Sequence, residues 1–171
     1  MTETGIRPSG RRWAVVLALV VLIISGCATS PFESEESIVS GIGPAHALAE
    51  SGHEGQRAIW GGRIVSVSNL ADRTEIEVVS LPLDRGDRPR LGAEGGVRFV
   101  LVQPGFLEPT RYAPGRYLTV LGQIEGVEAR PVGDYLYDHP VLSAESIHLW
   151  PADTARWQSR SRFSIGIGIR L

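Results

Sequence analysis

Arg57-Ala58-Ile59-Trp60-Gly61-Gly62-Arg63-Ile64-Val65-Ser66-Val67-Ser68 decides how this chain folds. Its β-branched and aromatic residues alternate with smaller or polar ones, the period of a strand with one buried face. A strand is predicted from Ala58 to about Ser68, with Trp60 and Ile64 on one face and Val65 and Val67 on the other. Gly61-Gly62 inside it predicts a bulge or sharp bend, because glycine in a strand interior marks a kink or a close backbone approach.

Working outward, the same signature repeats. Arg73 to Leu81 places Ile76 and Val78 against Glu75 and Glu77, then shifts its apolar face to Val79 and Leu81, which predicts a second bulge. Asn69 to Asp72 is the hairpin connection between these two strands. Val97, Phe99 and Leu101 form a third alternating run that ends before Pro104-Gly105, and Leu118, Val120, Gly122 and Ile124 form a fourth. Ala144 to Trp150 gives a fifth that stops at Pro151. Phe163 to Leu171 alternates as one more strand.

Two longer connections separate these runs. Pro82 to Gly96, with its prolines, glycines and charges, reads as a long loop. Arg130 to His139 reads as a second, glycine-punctuated one, ending in a turn or short strand at His139 to Leu142. Short, bent strands of this kind close more easily into a small barrel than they pack as a flat sheet. The expected fold is therefore all-β, an OB-like barrel of about five to six strands.

The N-terminus carries an address. Trp13 to Ile24 is apolar, follows Arg7, Arg11 and Arg12, and leads into Ile24-Ser25-Gly26-Cys27. The apolar run is shorter than the roughly 18 residues of a spanning helix, so it reads as a signal-peptide core. Small residues before Cys27 let a peptidase grip an extended backbone, and the thiol of Cys27 can carry a diacylglycerol thioether and an acyl chain such as palmitate. Several acyl chains, at about 0.8 kcal/mol per buried methylene, hold a protein stably on a bilayer. Ala28 stands where an inner-membrane retention signal would have Asp. By resemblance to lipoproteins of enteric bacteria, this predicts the outer membrane.

The expected organisation is a signal peptide over 1–26, a lipidated N-terminus and flexible tether over 27–56, the barrel over 57–151 and a C-terminal tail over 152–171. Ala45 to Glu50 within the tether suits a short helix that Gly52 and Gly55 end early. An integral outer-membrane barrel is disfavoured, since too few segments of spanning length accompany Phe163 to Leu171.

After removal of the signal, 14 of 17 basic and 18 of 19 acidic residues remain, because Arg7, Arg11, Arg12 and Glu3 leave with it, for a net side-chain charge of −4. All basic residues are Arg. The lack of any basic cluster argues against nucleic acid as a partner, since phosphate neutralisation needs a concentrated positive stripe. Acylation of the single cysteine leaves no disulfide and no thiolate metal site.

Catalytic chemistry is not signalled. The chain has no Gly-x-Ser-x-Gly elbow, P-loop or dinucleotide fingerprint. His46, His53, His139 and His148 read as scattered over loops and a strand, without an i, i+4 pair or neighbouring carboxylates at metal-ligand spacing. Neither a metal nor a cofactor is expected, and the chain is not expected to be an enzyme. Asp134 and Asp138 beside His139 are the one arrangement that could serve acid–base hydrolysis, against the simpler reading of a polar, solvated loop. Trp60, Phe99 and Trp150 are expected in the core or plugging a barrel end. Tyr135 and Tyr137, in a loop beside charges, are candidate ligand or partner contacts together with Asp134 and Arg88, with packing over a barrel end as the alternative.

Arg57-Ala58-Ile59-Trp60-Gly61-Gly62-Arg63-Ile64, Thr74-Glu75-Ile76-Glu77-Val78, Leu81-Pro82-Leu83-Asp84 and Arg88-Pro89 resemble the opening half of the Slp family of outer-membrane lipoproteins. Gly105-Phe106-Leu107-Glu108-Pro109 with Tyr112, Thr119 to Gly126, Tyr135-Leu136-Tyr137 before Pro140-Val141, and Leu149-Trp150 follow in the family's order. The resemblance covers about residues 45 to 151 and the lipobox. Gly96-Val97-Arg98-Phe99 has one residue more than the family's Gly-Arg-Phe, and the tail from Arg160 is unmatched. The resemblance implies a starvation-inducible or stationary-phase lipoprotein of the outer membrane and supplies no catalytic residue. The expected function is thus a non-enzymatic structural or interaction module on the periplasmic face, with an envelope-protein or cell-wall partner. The alternative is a glycan- or small-ligand-binding barrel using the 82–96 and 130–139 loops.

Overall fold

In a computed structural model describing residues 30–32 and 40–153, the opening stretch becomes strand β1 (Arg57–Asn69). It is preceded by helix α1 (Pro44–Ala49) and followed by β2 (Arg73–Ser80), β3 (Arg98–Pro104), β4 (Tyr117–Val132) and β5 (Tyr135–Leu149). The strands close in the order β1-β2-β3-β5-β4. Every pairing is antiparallel except that of β3 with β5. A five-stranded, closed, largely antiparallel barrel is the OB-like architecture expected from the strand signals.

Closure depends on β1 serving two neighbours. Its first half pairs with β4 from Arg57 to Arg63, and its second half pairs with β2 from Gly62 to Asn69. At Gly62 both ladders meet, and a Cβ there would lie 2.0 Å from the carbonyl oxygen of Val79. Only glycine lets the backbones approach so closely. Gly122 in β4 has the same role against β5, where a Cβ would lie 2.1 Å from the oxygen of Ser143.

The expected bulge at Gly61-Gly62 sits instead at Val65, between the pairs Ile64↔Val78 and Ser66↔Glu77. The extra residue returns Val67 to the side of Ile64, opposite Ile76, so Val67 packs on the core. This corrects the facing predicted for Val67. It also removes the second bulge: β2 alternates from Thr74 to Ser80 without interruption, because β1 absorbs the offset.

Inside the barrel, Trp60, Ile64, Ile76, Val78, Phe99, Leu101, Leu118 and Val120 are all but inaccessible. Trp60 and Phe99 meet edge-to-face with centroids 5.3 Å apart, an arrangement worth about 0.5–1.5 kcal/mol beyond the area buried. Trp150 covers one end, its indole N–H donating to Thr119 Oγ1 at 2.9 Å.

Part of the segment read as a tether belongs to the barrel. Ser40 bridges to Ala58, its amide donating to the Arg57 carbonyl at 2.8 Å. The Trp60 indole N–H donates to the carbonyl of Ile42 at 2.7 Å. Helix α1 packs on β4 and β5 through buried Ala47. Nearer the N-terminus, Ser30 and Phe32 are buried, and the Ser30 hydroxyl donates to the carboxylate of Asp87. The lipobox with Cys27 and the alternating run from Phe163 lie outside the described residues.

The connection expected over 130–139 is a β-ribbon. β4 and β5 remain paired from Gly126↔Val141 to Val132↔Tyr135 and turn through Gly133-Asp134. Gly133 has φ 63 and leads this two-residue loop, the position that a tight hairpin turn assigns to glycine. Arg130-Pro131 and the charges around them obscured the alternation, since a ribbon outside the barrel has little core side to impose a hydrophobic period.

Candidate functional site

The ribbon folds against the outer face of β2 and β3. Arg130 Nη1 donates to Glu75 Oε2 at 2.6 Å, and its Nη2 to Glu128 at 2.7 Å. Arg73 Nε donates to the second oxygen of Glu75 at 2.9 Å. The hydrogen bond from Arg130 holds the Glu75 carboxyl below its usual range, against the opposing effect of burial. The same bond raises the Arg130 guanidinium. Beside this network, His139 is 1% exposed. Its Nδ1 lies 2.8 Å from the Tyr137 carbonyl and therefore carries the proton, and its Nε2 lies 3.7 Å from Glu77 Oε1. Glu77 also accepts from Arg98 at 2.5 Å.

Between ribbon and barrel runs a groove of about 210 Å³, lined by Ser66, Ser68, Glu75, Glu77, Val100, Arg130, Pro131 and His139. The face of strands 2 and 3, flanked by the β4–β5 connection, is where OB barrels take oligonucleotides and oligosaccharides. Two carboxylates in the lining disfavour phosphate, whereas hydroxyls and carboxylates together suit a neutral polyol. A larger cavity of about 470 Å³ lies between the Ser40–Ala45 segment and Leu81–Leu83, with Ile42, Ile59 and Trp60 in its walls.

The ribbon's tip is apolar and bare. Tyr135, Leu136 and Tyr137 are 70%, 73% and 54% exposed, and the two tyrosine rings lie 6.3 Å apart. Leu70 and Phe106 are also exposed. They flank the ends of β1 and β3 near the β1–β2 turn, the side of the barrel over which Arg130 reaches Glu75.

Of the sequence-predicted contacts, Asp134, Tyr135 and Tyr137 come together at this tip. Arg88 does not join them. It sits at the opposite barrel end, its guanidinium 4.9 Å from the Trp150 ring centroid. Nearby, His148 packs on Trp150 with centroids 4.3 Å apart, and burial together with the charge of Arg88 lowers its pKa. The 82–96 and 130–139 segments therefore do not line one shared pocket. Nor does the hydrolytic cluster assemble around His139: strand alternation turns Asp138 to the other face, and the His139 ring meets Tyr137 and Glu77 instead.

One grouping corrects the reading of the histidines as scattered without carboxylates at metal-ligand spacing. His46, Glu50 and His53 present ligand atoms all within 4.8 Å of one another. Its signal was available, since Glu50 follows His46 at the i, i+4 spacing of a helix face. His53 joins only because the chain reverses at Gly52, which has φ 93.

A model of the outer membrane lipoprotein Slp family matches residues 24–165. An uncharacterized lipoprotein of Escherichia coli, YeaY, is 30% identical over 141 residues, covering 80% of this chain and 71% of its own length. The outer membrane protein Slp of the same organism is 31% identical over 96 residues, 56% of this chain and 50% of its own. An uncharacterized Haemophilus influenzae protein is 36% identical over 95 residues, 55% of this chain and 51% of its own. This chain thus spans about half the length of the last two. Among solved structures, a small single-stranded DNA-binding protein from Streptomyces coelicolor overlaps 60% of this chain and 97% of its own, with 15% identity and a TM-score of 0.38. A Plasmodium falciparum SSB complex with single-stranded DNA overlaps 60% and 98%, with 14% identity and a TM-score of 0.35.

Proposed function

The chain belongs to the Slp family of outer membrane lipoproteins, and from that membership we propose a non-enzymatic interaction module, anchored through acylated Cys27 and facing the periplasm. The single observation that carries the interaction role is the bare tip Tyr135-Leu136-Tyr137 on a ribbon braced by the Arg130–Glu75 pair. Exposed apolar side chains grouped on a rigid element mark contact surfaces, and tyrosine supplies contact area at low entropy cost.

In this reading the anchor and the tip would stand apart. Cys27 precedes Ser30 by three residues, at most about 11 Å of chain, and Ser30 is tied to Asp87. Asp87 in turn accepts, through its carbonyl, from Thr119 Oγ1 near the start of β4. From Thr119 to the turn at Gly133 is roughly 45 Å of strand contour. The Asp87 end would rest by the bilayer and the tyrosines would reach away from it, toward an envelope-protein or cell-wall partner. A raised level in stationary phase or starvation belongs to the same proposal, on the family resemblance.

The test is crosslinking in intact envelopes from a photoreactive residue placed at Leu136, with and without Tyr135→Ala and Tyr137→Ala. A discrete partner lost in the double variant is expected. Equal capture by both proteins would overturn the contact role. Incorporation of labelled fatty acid should vanish in Cys27→Ser, and label that persists there would refute the anchor.

A second use of the ribbon is favoured by the groove it forms over β2 and β3: binding of a glycan or small polar ligand between Glu75, Glu77 and Arg130. Cell-wall fragments binding the native protein but not Glu77→Ala would distinguish it from tip-mediated protein contact.

A further inference from the structure

We propose that His46, Glu50 and His53 form a divalent transition-metal site, with zinc as the ion that suits it best, independent of the ribbon and the lipid anchor. His46 Nε2 and Glu50 Oε2 are 3.2 Å apart. Two ligands bonded to a tetrahedral zinc at about 2.0–2.1 Å stand roughly 3.3 Å from each other, so this pair is already at bridging distance. The spacing is built into the backbone: the Glu50 amide donates to the His46 carbonyl at 3.0 Å, the helical i, i+4 bond that stacks the two side chains on one side.

His53 supplies the independent pointer to a ligand. Both of its ring nitrogens are shielded from solvent and have no hydrogen-bond partner among the described residues. An imidazole in that condition leaves a donor and an acceptor unmet, and a metal bond would satisfy the acceptor nitrogen. The left-handed turn at Gly52 brings its ring edge-on to His46, with centroids 5.2 Å apart. The three ligand atoms lie within 4.8 Å of one another, and the side chains of His46 and Glu50, 52% and 66% exposed, have solvent in which to rotate toward an ion. The three residues border an open cavity of about 280 Å³ against Ile124, Gly126 and Val127 of β4, so a fourth position stays free for water.

Two imidazoles and one carboxylate make a donor set for zinc and its transition-metal neighbours. Calcium and magnesium require six or more oxygens, or several retained waters, and are not served by it. Bound metal would tie α1 to the 50–56 turn and, through Ala47, to β4 and β5.

The experiment is calorimetric titration of ZnCl₂ into the acylated full-length protein in detergent, free of any histidine tag. One equivalent of zinc should bind, with at least about tenfold weaker affinity in His46→Ala and in His53→Ala. His148→Gln should be unchanged. Circular dichroism of His46→Ala, an exposed position, guards against misfolding, and Glu50→Gln offers a near-isosteric third variant expected to weaken binding in the same direction. Failure to bind zinc, equal affinity in the His46→Ala/His53→Ala double variant, or equal binding of magnesium would each overturn the proposal.

Discussion

Gly62→Ala should destabilise the barrel by about 3 kcal/mol, although the same change on an open strand would be neutral or favourable. The added Cβ would stand 2.0 Å from the Val79 oxygen and 2.9 Å from Val78 Cγ1, where ordinary contact begins near 3.4 Å. The oxygen belongs to backbone, so β1 and β2 must part by more than about 1 Å. Parting them breaks roughly two ladder hydrogen bonds at about 1 kcal/mol each and loosens Val78 against Trp60 and Phe99. Set against a total of about 5–15 kcal/mol, that loss is large. Urea unfolding in detergent, followed by the fluorescence of buried Trp60 and Trp150, should show the midpoint falling by about 1.5 M for a slope near 2 kcal/mol/M. Gly41→Ala is the matched comparison: nothing lies within 4 Å of the added atom, and a gain of about 0.4–1 kcal/mol is expected. A Gly62→Ala midpoint within about 0.3 M of the native protein's would refute the claim that backbone approach at Gly62 closes the barrel.

Acid should weaken the ribbon's attachment. The folded-state pKa of Glu75 is lowered, chiefly by the hydrogen bond from Arg130, so its contribution is complete above the ordinary carboxylate range and is lost as pH falls through the lowered folded value. Arg130→Met should remove most of that slope, at a cost of about 1 kcal/mol near neutrality after allowance for solvent screening, measured as unfolding midpoints between pH 7 and pH 3. Trp60→Phe deletes the bond to the Ile42 carbonyl and should cost about 1–3 kcal/mol, with faster trypsin cleavage at Arg57 as the local readout. Gly133→Ala places a side chain at φ 63 and should cost about 1 kcal/mol, seen in hydrogen exchange of Arg130 to Tyr137 before any global change.

Much of the fold was legible because strand alternation records burial directly. Ile76, Val78, Phe99, Leu101, Leu118 and Val120 are apolar at period two and all point into the barrel. The ribbon was hidden for the same reason, since a two-stranded arm projecting from the barrel has little core side and so little hydrophobic period. Bulge position was also hidden: glycine in a strand signals either a kink or a close approach, and Gly62 turned out to serve the second while Val65 took the first. Of the candidate contacts, Asp134, Tyr135 and Tyr137 group because they are neighbours in sequence, whereas Arg88 stands apart because the barrel separates the two ends of β2.

By itself the sequence determined the family and the small all-β barrel, both of which rest on local order: periodicity, turn residues and the succession of short motifs. Only the tertiary structure decided what meets what. It docked Ser40 to Ala49 onto the barrel and raised the tyrosine tip on a braced ribbon. It also folded His53 back under His46 and Glu50. Such contacts join residues far apart in the chain or turned by a single left-handed glycine, and they exist only once the backbone has closed around its core.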